Sequence, residues 1–180
     1  MTDVLPANYF ELFEIPVSYD VDLDQLQHRY RELQKAVHPD KYASAGSHER
    51  RRSMQHTSLI NQALHTLKSP VERAVYLLQL KGVEFAMDNQ TTMDAAFLME
   101  QMEMRERLEA VRDQADPLAE LDRMLLDCRA GMNRIADDFK AAYASDRLDD
   151  AKEAVRKLQF LHKASQEVDD LAATIEDEMI

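Results

Sequence analysis

Apolar residues at Leu23, Leu26, Tyr30, Leu33 and Val37 step by three and four, which predicts one buried face of an α-helix behind a cap at Asp22. Before it, Tyr9 to Phe13 reads as a short apolar turn closed by Ile15-Pro16. The helix must end near His38, because the residue before Pro39 is pushed out of the α region. Residues 39–47 hold Pro, Gly and Ser and read as a loop. A third helix is expected to run to about Leu67, with Met54, Ile60, Ala63, Leu64 and Leu67 turned inward. Ser69-Pro70 is a stop followed by a start, and the short helix it opens should run through Leu80 to Gly82.

Residues 83–93 lack an apolar period and mark a boundary. Beyond it the pattern predicts three longer helices: about Met93 to Arg112, Asp116-Pro117 to about Ala144, and about Asp150 to the end. The middle one carries Leu118, Leu121, Leu125, Cys128, Met132, Ile135, Phe139 and Ala142, a strict three-four stripe suited to antiparallel neighbours in a small bundle. The last has Ala154, Leu158, Leu161, Val168 and Ala172 on its stripe. The expected fold is therefore all-α, with one module over 1–81, a linker over 82–92 and a three-helix bundle over 93–180.

Two helices carry apolar residues off the stripe. With Phe97 at zero, Met104, Leu108 and Val111 fall at about −20, 20 and −40 degrees, whereas Leu98, Met99 and Met102 fall at about 100, 200 and 140 degrees. Glu100, Glu103 and Glu106 border them. Phe160 points about 120 degrees or more from the middle of the last helix's stripe. Such residues make either a binding face or a core wide enough to reach two neighbours, with Met as a gap-filler.

Charge separates the halves. Residues 1–81 carry ten Lys+Arg and ten Asp+Glu, and residues 82–180 carry twelve and twenty-four, so the whole net charge of −12 sits in the second half. Nucleic acid is an unsuitable partner there, and the asymmetry suggests two modules with two partners. No signal-like segment or membrane-length apolar run occurs, so a cytoplasmic protein with no membrane partner is expected. Three Gly and five Pro fit long helices. Cys128 is the only cysteine, which excludes an intrachain disulfide and a multi-thiolate metal site, and no cofactor is expected.

His38-Pro39-Asp40 gains meaning from its setting between two helices of a hairpin. With Leu26 at zero, His28, Arg31 and Lys35 fall at about 200, 140 and 180 degrees, a basic stripe leading to the loop. The segments Tyr9-Phe10-Glu11-Leu12-Phe13, Arg29-Tyr30-Arg31-Glu32-Leu33, His38-Pro39-Asp40-Lys41 and Ile60-Asn61-Gln62-Ala63, followed by Leu67, Pro70 and Arg73-Ala74, resemble the J-domain of DnaJ-type co-chaperones. Val37 and Glu32 depart from that pattern. The resemblance implies that His28, Arg29, Arg31, Lys35 and His38-Pro39-Asp40-Lys41 dock a DnaK-type chaperone and stimulate its ATPase.

Ala96-Phe97-Leu98-Met99-Glu100-Gln101-Met102-Glu103 with Arg105-Glu106, Arg73-Ala74-Val75-Tyr76-Leu77-Leu78, and Arg156-Lys157-Leu158-Gln159-Phe160-Leu161 resemble the HscB-type J-proteins of iron–sulfur cluster assembly. That likeness implies a scaffold protein, IscU, bound at Leu98, Met99, Met102 and Phe160 with Glu103, Arg105 and Glu106 beside them, and HscA as the DnaK-type chaperone. The alternative is a J-protein delivering a different or general client. Arg50-Arg51-Arg52 reads as a solvated helix start. His56 and His65 are nine apart and so on opposite helix faces, which argues against joint metal ligation; Cys128 lies in the core stripe and reads as an inert buried thiol; His38 and Asp40 lack the pocket, nucleophile or oxyanion donor of an acid/base site. The expected protein bridges partners and has no chemistry of its own.

Overall fold

The structure, a computed structural model, describes residues 6–37, 46–84 and 94–179. By internal contacts the chain divides into two compact units, 1–83 and 84–180. The described residues form helices and connecting turns, without strands.

The first unit contains α1 (Tyr9–Leu12), α2 (Leu23–Val37), α3 (Ser47–Lys68) and α4 (Pro70–Leu80). Side-chain caps start them. Asn8 Oδ1 accepts from the Glu11 amide, and Asp22 Oδ1 accepts from the amides of Asp24 and Gln25 at 2.9 and 3.0 Å. Ser69 Oγ accepts from the Glu72 amide, with Pro70 at the first helical position. Gly82 at φ +73 turns the chain out of α4, as a left-handed position requires of glycine.

The core of this unit is Phe10, Phe13, Leu26, Leu67, Leu77 and Leu78, all fully buried. Tyr76 pins the entrance: its ring stacks on Tyr9 with centroids 4.4 Å apart, and its hydroxyl accepts from the Tyr9 amide at 2.9 Å. Arg73 is buried too. It donates to the Leu67 carbonyl at 2.6 Å and lies over the Tyr19 ring at 4.9 Å, so the cation closes the end of α3. Burial lowers its pKa, opposed by nearby Tyr19 and Asp20.

Two expected inward residues are outside. Leu23, at the first position of α2, is exposed. Met54 is 66 % exposed. It lies six residues before Ile60, about 240 degrees around the helix, and so leaves the face that Ile60, Ala63 and Leu67 bury. Ser53 turns inward instead, donating its hydroxyl to the Val37 carbonyl at 2.7 Å.

The second unit contains α5 (Ala95–Glu109), a 3₁₀ turn (Val111–Asp113), α6 (Pro117–Ala144) and α7 (Leu148–Glu178). The expected first helix thus ends early, with its last residues tightened into the 3₁₀ turn, while α7 starts two residues before Asp150. Asp116 caps α6 by accepting from the Ala119 amide. α6 and α7 pack as an antiparallel hairpin along most of their length. The predicted stripe of α6 faces inward, joined by Met124 and Gly131, which the three-four reading missed. A Cβ on Gly131 would sit 2.8 Å from Leu161 Cδ1, so glycine permits this close approach. Cys128 is buried beside Met104, its sulfur 3.9 Å from the thioether, and burial raises its pKa.

Candidate docking surfaces

On α2, packing decides which side is free. Leu26 and Val37 are buried, and Tyr30 and Gln34 reach α3 through Asn61, whose Oδ1 accepts from the Tyr30 hydroxyl at 3.0 Å. The opposite side is polar and open. His28, Arg31 and Lys35 are exposed along it, with Arg31 Nε donating to the Gln27 carbonyl. Glu32 interrupts the stripe 3.5 Å from His28. The Arg29 hydrogen bond holds the Glu32 carboxyl below its ordinary pKa, helped by the charges of His28 and Lys35. Arg29 itself is only partly exposed and pairs with both Glu32 and Glu14. It therefore sits beside the stripe as a tie between α2 and the α1 turn. His38, Pro39, Asp40 and Lys41 lie outside the described residues. Ser53 is the supporting residue the pattern missed: it fixes the last carbonyl of α2 one residue before His38. A lone serine in an otherwise inward register was its only signal.

The second surface is on α5. Phe97 is buried, Met104 and Leu108 pack on the cluster of Val111, Leu121, Met124, Val168 and Ile175, and the far side faces solvent. Met99 and Met102 are 65 and 64 % exposed, one helical turn apart. Glu103, Arg105 and Glu106 are exposed around them, and Leu98 is half-buried at the edge. Phe160 is placed differently from the others. It is half-buried, edge-to-face with Phe97 at 5.7 Å between centroids, so it belongs partly to the seam between α5 and α7. A groove of about 120 Å³ runs beside it, floored by Met104, Leu108 and Val168 and rimmed by Arg105 and Lys163.

The start of α5 is latched to α7. Asp94 accepts from the amides of Ala96 and Phe97 and from Lys157 Nζ at 2.6 Å. Those contacts, the Lys157 hydrogen bond first, hold its carboxyl below the ordinary aspartate range. At the other end Arg107 bridges Glu120 and Asp127 on α6, and Arg112 pairs with Glu178. The α5 stretch is therefore tied to its neighbours at both ends.

Among the described residues, no helix is long and apolar enough to cross a membrane and no group of three or more His, Cys, Asp or Glu could hold a metal ion.

A helical hairpin with one open basic face and a helical bundle with one open methionine face make the architecture of a J-domain co-chaperone, a protein of contact surfaces. Comparison with known proteins agrees. The family described as the HSCB C-terminal oligomerisation domain matches residues 93–169. The co-chaperone protein HscB homolog of Shewanella halifaxensis is 44 % identical over 164 residues, covering 89 % of this chain and 94 % of that protein. Among solved structures, chaperone HscB from Vibrio cholerae superposes with a TM-score of 0.83 at 38 % identity, covering 96 % of this chain and 99 % of that one. Human co-chaperone protein HscB gives 0.81 at 32 % identity, covering 90 and 80 %. The chain belongs to the HscB family of co-chaperones.

Proposed function

We propose that this co-chaperone bridges two proteins in iron–sulfur protein maturation: an IscU-like cluster scaffold and an HscA-like DnaK-type chaperone. The scaffold binds the bundle at Leu98, Met99, Met102 and Phe160, with Glu103, Arg105 and Glu106 setting charge register. The chaperone binds the hairpin along His28, Arg31 and Lys35, and the segment His38-Pro39-Asp40-Lys41 triggers ATP hydrolysis. Arg29 contributes by holding α2 in place.

The observation that carries the scaffold half is the exposure of Met99 and Met102 on a helix whose core face is already occupied by Phe97, Met104 and Leu108. Each apolar side chain gains roughly 1.5–3 kcal/mol on full burial. Covering the two free methionines and the accessible parts of Leu98 and Phe160 supplies the apolar part of the binding energy, and the flanking charges add to it against the cost of association. The basic face of α2 supports the chaperone half, since a stripe that is mainly cationic, with Glu32 its one interruption, steers an acidic partner before it is held.

The test is the ATPase rate of a DnaK-type chaperone measured with this chain, with and without the scaffold protein. Stimulation that rises further when scaffold is present supports both halves. Stimulation indifferent to scaffold, with unfolded chains captured instead, would replace the scaffold by a general client.

A further inference from the structure

We infer, resting on the scaffold docking proposed for α5, that Met99 and Met102 form a reversible oxidation site. Hydroperoxides convert both thioethers to sulfoxides and so switch that docking off.

The step is a two-electron oxidation. A sulfur lone pair attacks a peroxide oxygen, an S–O bond forms and the O–O bond breaks. Sulfur is oxidised to the sulfoxide and hydrogen peroxide is reduced to water. The peroxide needs an open approach to the sulfur, so burial decides which methionines react. Met99 and Met102 are exposed on the solvent side of α5. Met104, the third methionine of this helix, turns the other way. It packs on the core cluster with its sulfur 3.9 Å from that of Cys128. Met124 is fully buried. Cys128, the only cysteine, is buried as well, and burial favours its thiol form, so it presents no exposed thiolate to compete for peroxide. On α5 the accessible thioethers are therefore those of the docking face, and the shielded one belongs to the core.

Docking buries these side chains against an apolar partner surface. A sulfoxide carries a strong dipole and an acceptor oxygen that must shed water to enter it. Two sulfoxides one turn apart would make polar a patch already bordered by Glu100, Glu103 and Glu106. The bundle has no reason to change. Neither sulfur packs in its core, and Asp94–Lys157 and Arg107–Glu120 still tie both ends of α5. The basic face of α2 carries no methionine and keeps its chemistry.

The experiment treats the full chain with graded hydrogen peroxide and removes the peroxide with catalase. Peptide masses, melting temperature and affinity for an IscU-like scaffold, added afterwards, are then measured. Met99 and Met102 are expected to gain oxygen well before Met104 and Met124, with affinity falling about tenfold and the melting temperature unchanged. Methionine sulfoxide reductases for both epimers, supplied with a dithiol, should restore affinity. Met99→Leu/Met102→Leu keeps the face apolar, so it should bind untreated and hold its affinity through peroxide. Met54→Leu/Met179→Leu removes exposed thioethers on α3 and past the end of α7, and should lose affinity on treatment as the native chain does.

Unchanged affinity with residues 99 and 102 fully oxidised overturns the switch alone. So does an equal loss in Met99→Leu/Met102→Leu, or protection by Met54→Leu/Met179→Leu, since either assigns the effect to another residue. Oxidation of Met104 and Met124 in step with the exposed pair, with a falling melting temperature, makes the loss core damage and overturns it too. Affinity that stays low after the masses at 99 and 102 have returned overturns its reversibility. An untreated native chain that binds no scaffold overturns the scaffold reading and this regulation together.

Discussion

Helices α2 and α5 are each fifteen residues long, yet they turn opposite chemistries to solvent. α2 buries Leu26 and Val37 and exposes His28, Arg31 and Lys35; α5 buries Phe97 and exposes Met99 and Met102. The first surface acts at a distance and weakens with salt. The second acts only on contact and tolerates salt. Under the proposed function, separate units let the charged surface meet one partner while the apolar surface holds another. The supports differ in the same sense. Ser53 and Asn61 tie α2 to α3 by hydrogen bonds, whereas α5 is held by the Phe97–Phe160 ring pair and charged latches at both ends.

The sharpest way to break this division is Asp40→Asn. It is expected to abolish stimulation of the chaperone ATPase while scaffold binding, followed by calorimetry, stays at its native strength. Loss of both would join the two surfaces into one.

Met99→Ala with Met102→Ala comes next. Scaffold affinity should fall about ten- to a hundredfold, with the melting temperature unmoved, because neither side chain packs in the core. A large fall in melting temperature would return both residues to the core.

Phe160→Ala sharpens the contrast within the same surface. It should weaken scaffold binding and also destabilise the bundle by about 1–2 kcal/mol, because its ring packs edge-to-face on Phe97. Denaturant unfolding of the bundle would show the second effect. Unaltered stability would make Phe160 a pure contact residue like the methionines.

The smallest effect concerns the latch. The Asp94 pKa is lowered in the folded chain. Its contribution is therefore present above the unfolded aspartate value and is lost as pH falls through the lower folded value. Melting temperature should hold as pH falls to about 4 and then drop. Asp94→Asn keeps a cap but not the Lys157 ion pair, so that acid-side drop should shrink. The basic α2 surface should not respond to this change.

Much of the architecture was legible along the chain. Helix starts at Leu23, Pro70 and Pro117 followed from Asp22, Ser69 and Asp116, because capping is a local hydrogen bond between neighbours in sequence. The off-stripe placement of Met99 and Met102 followed from helical geometry alone, since 100 degrees per residue needs no tertiary knowledge. The sequence itself also determined the separation of charge, with all of the excess in the second half.

Other features depended on what each helix meets. Met54 is a hydrophobic residue in a helix, and only the direction of the α2–α3 seam turned it outward and drew Ser53 in. Phe160 looked as free as Met99 until Phe97 arrived from another helix to cover one side. Gly131 carries no side-chain signal, and its role appears only where Leu161 lies against it. Arg29 read as part of a docking stripe, but Glu14, fifteen residues earlier, engages it. Periodicity specifies which residues share a face. Which face is covered, and by what, is decided by partners distant in the chain, and that is a property of the packed molecule.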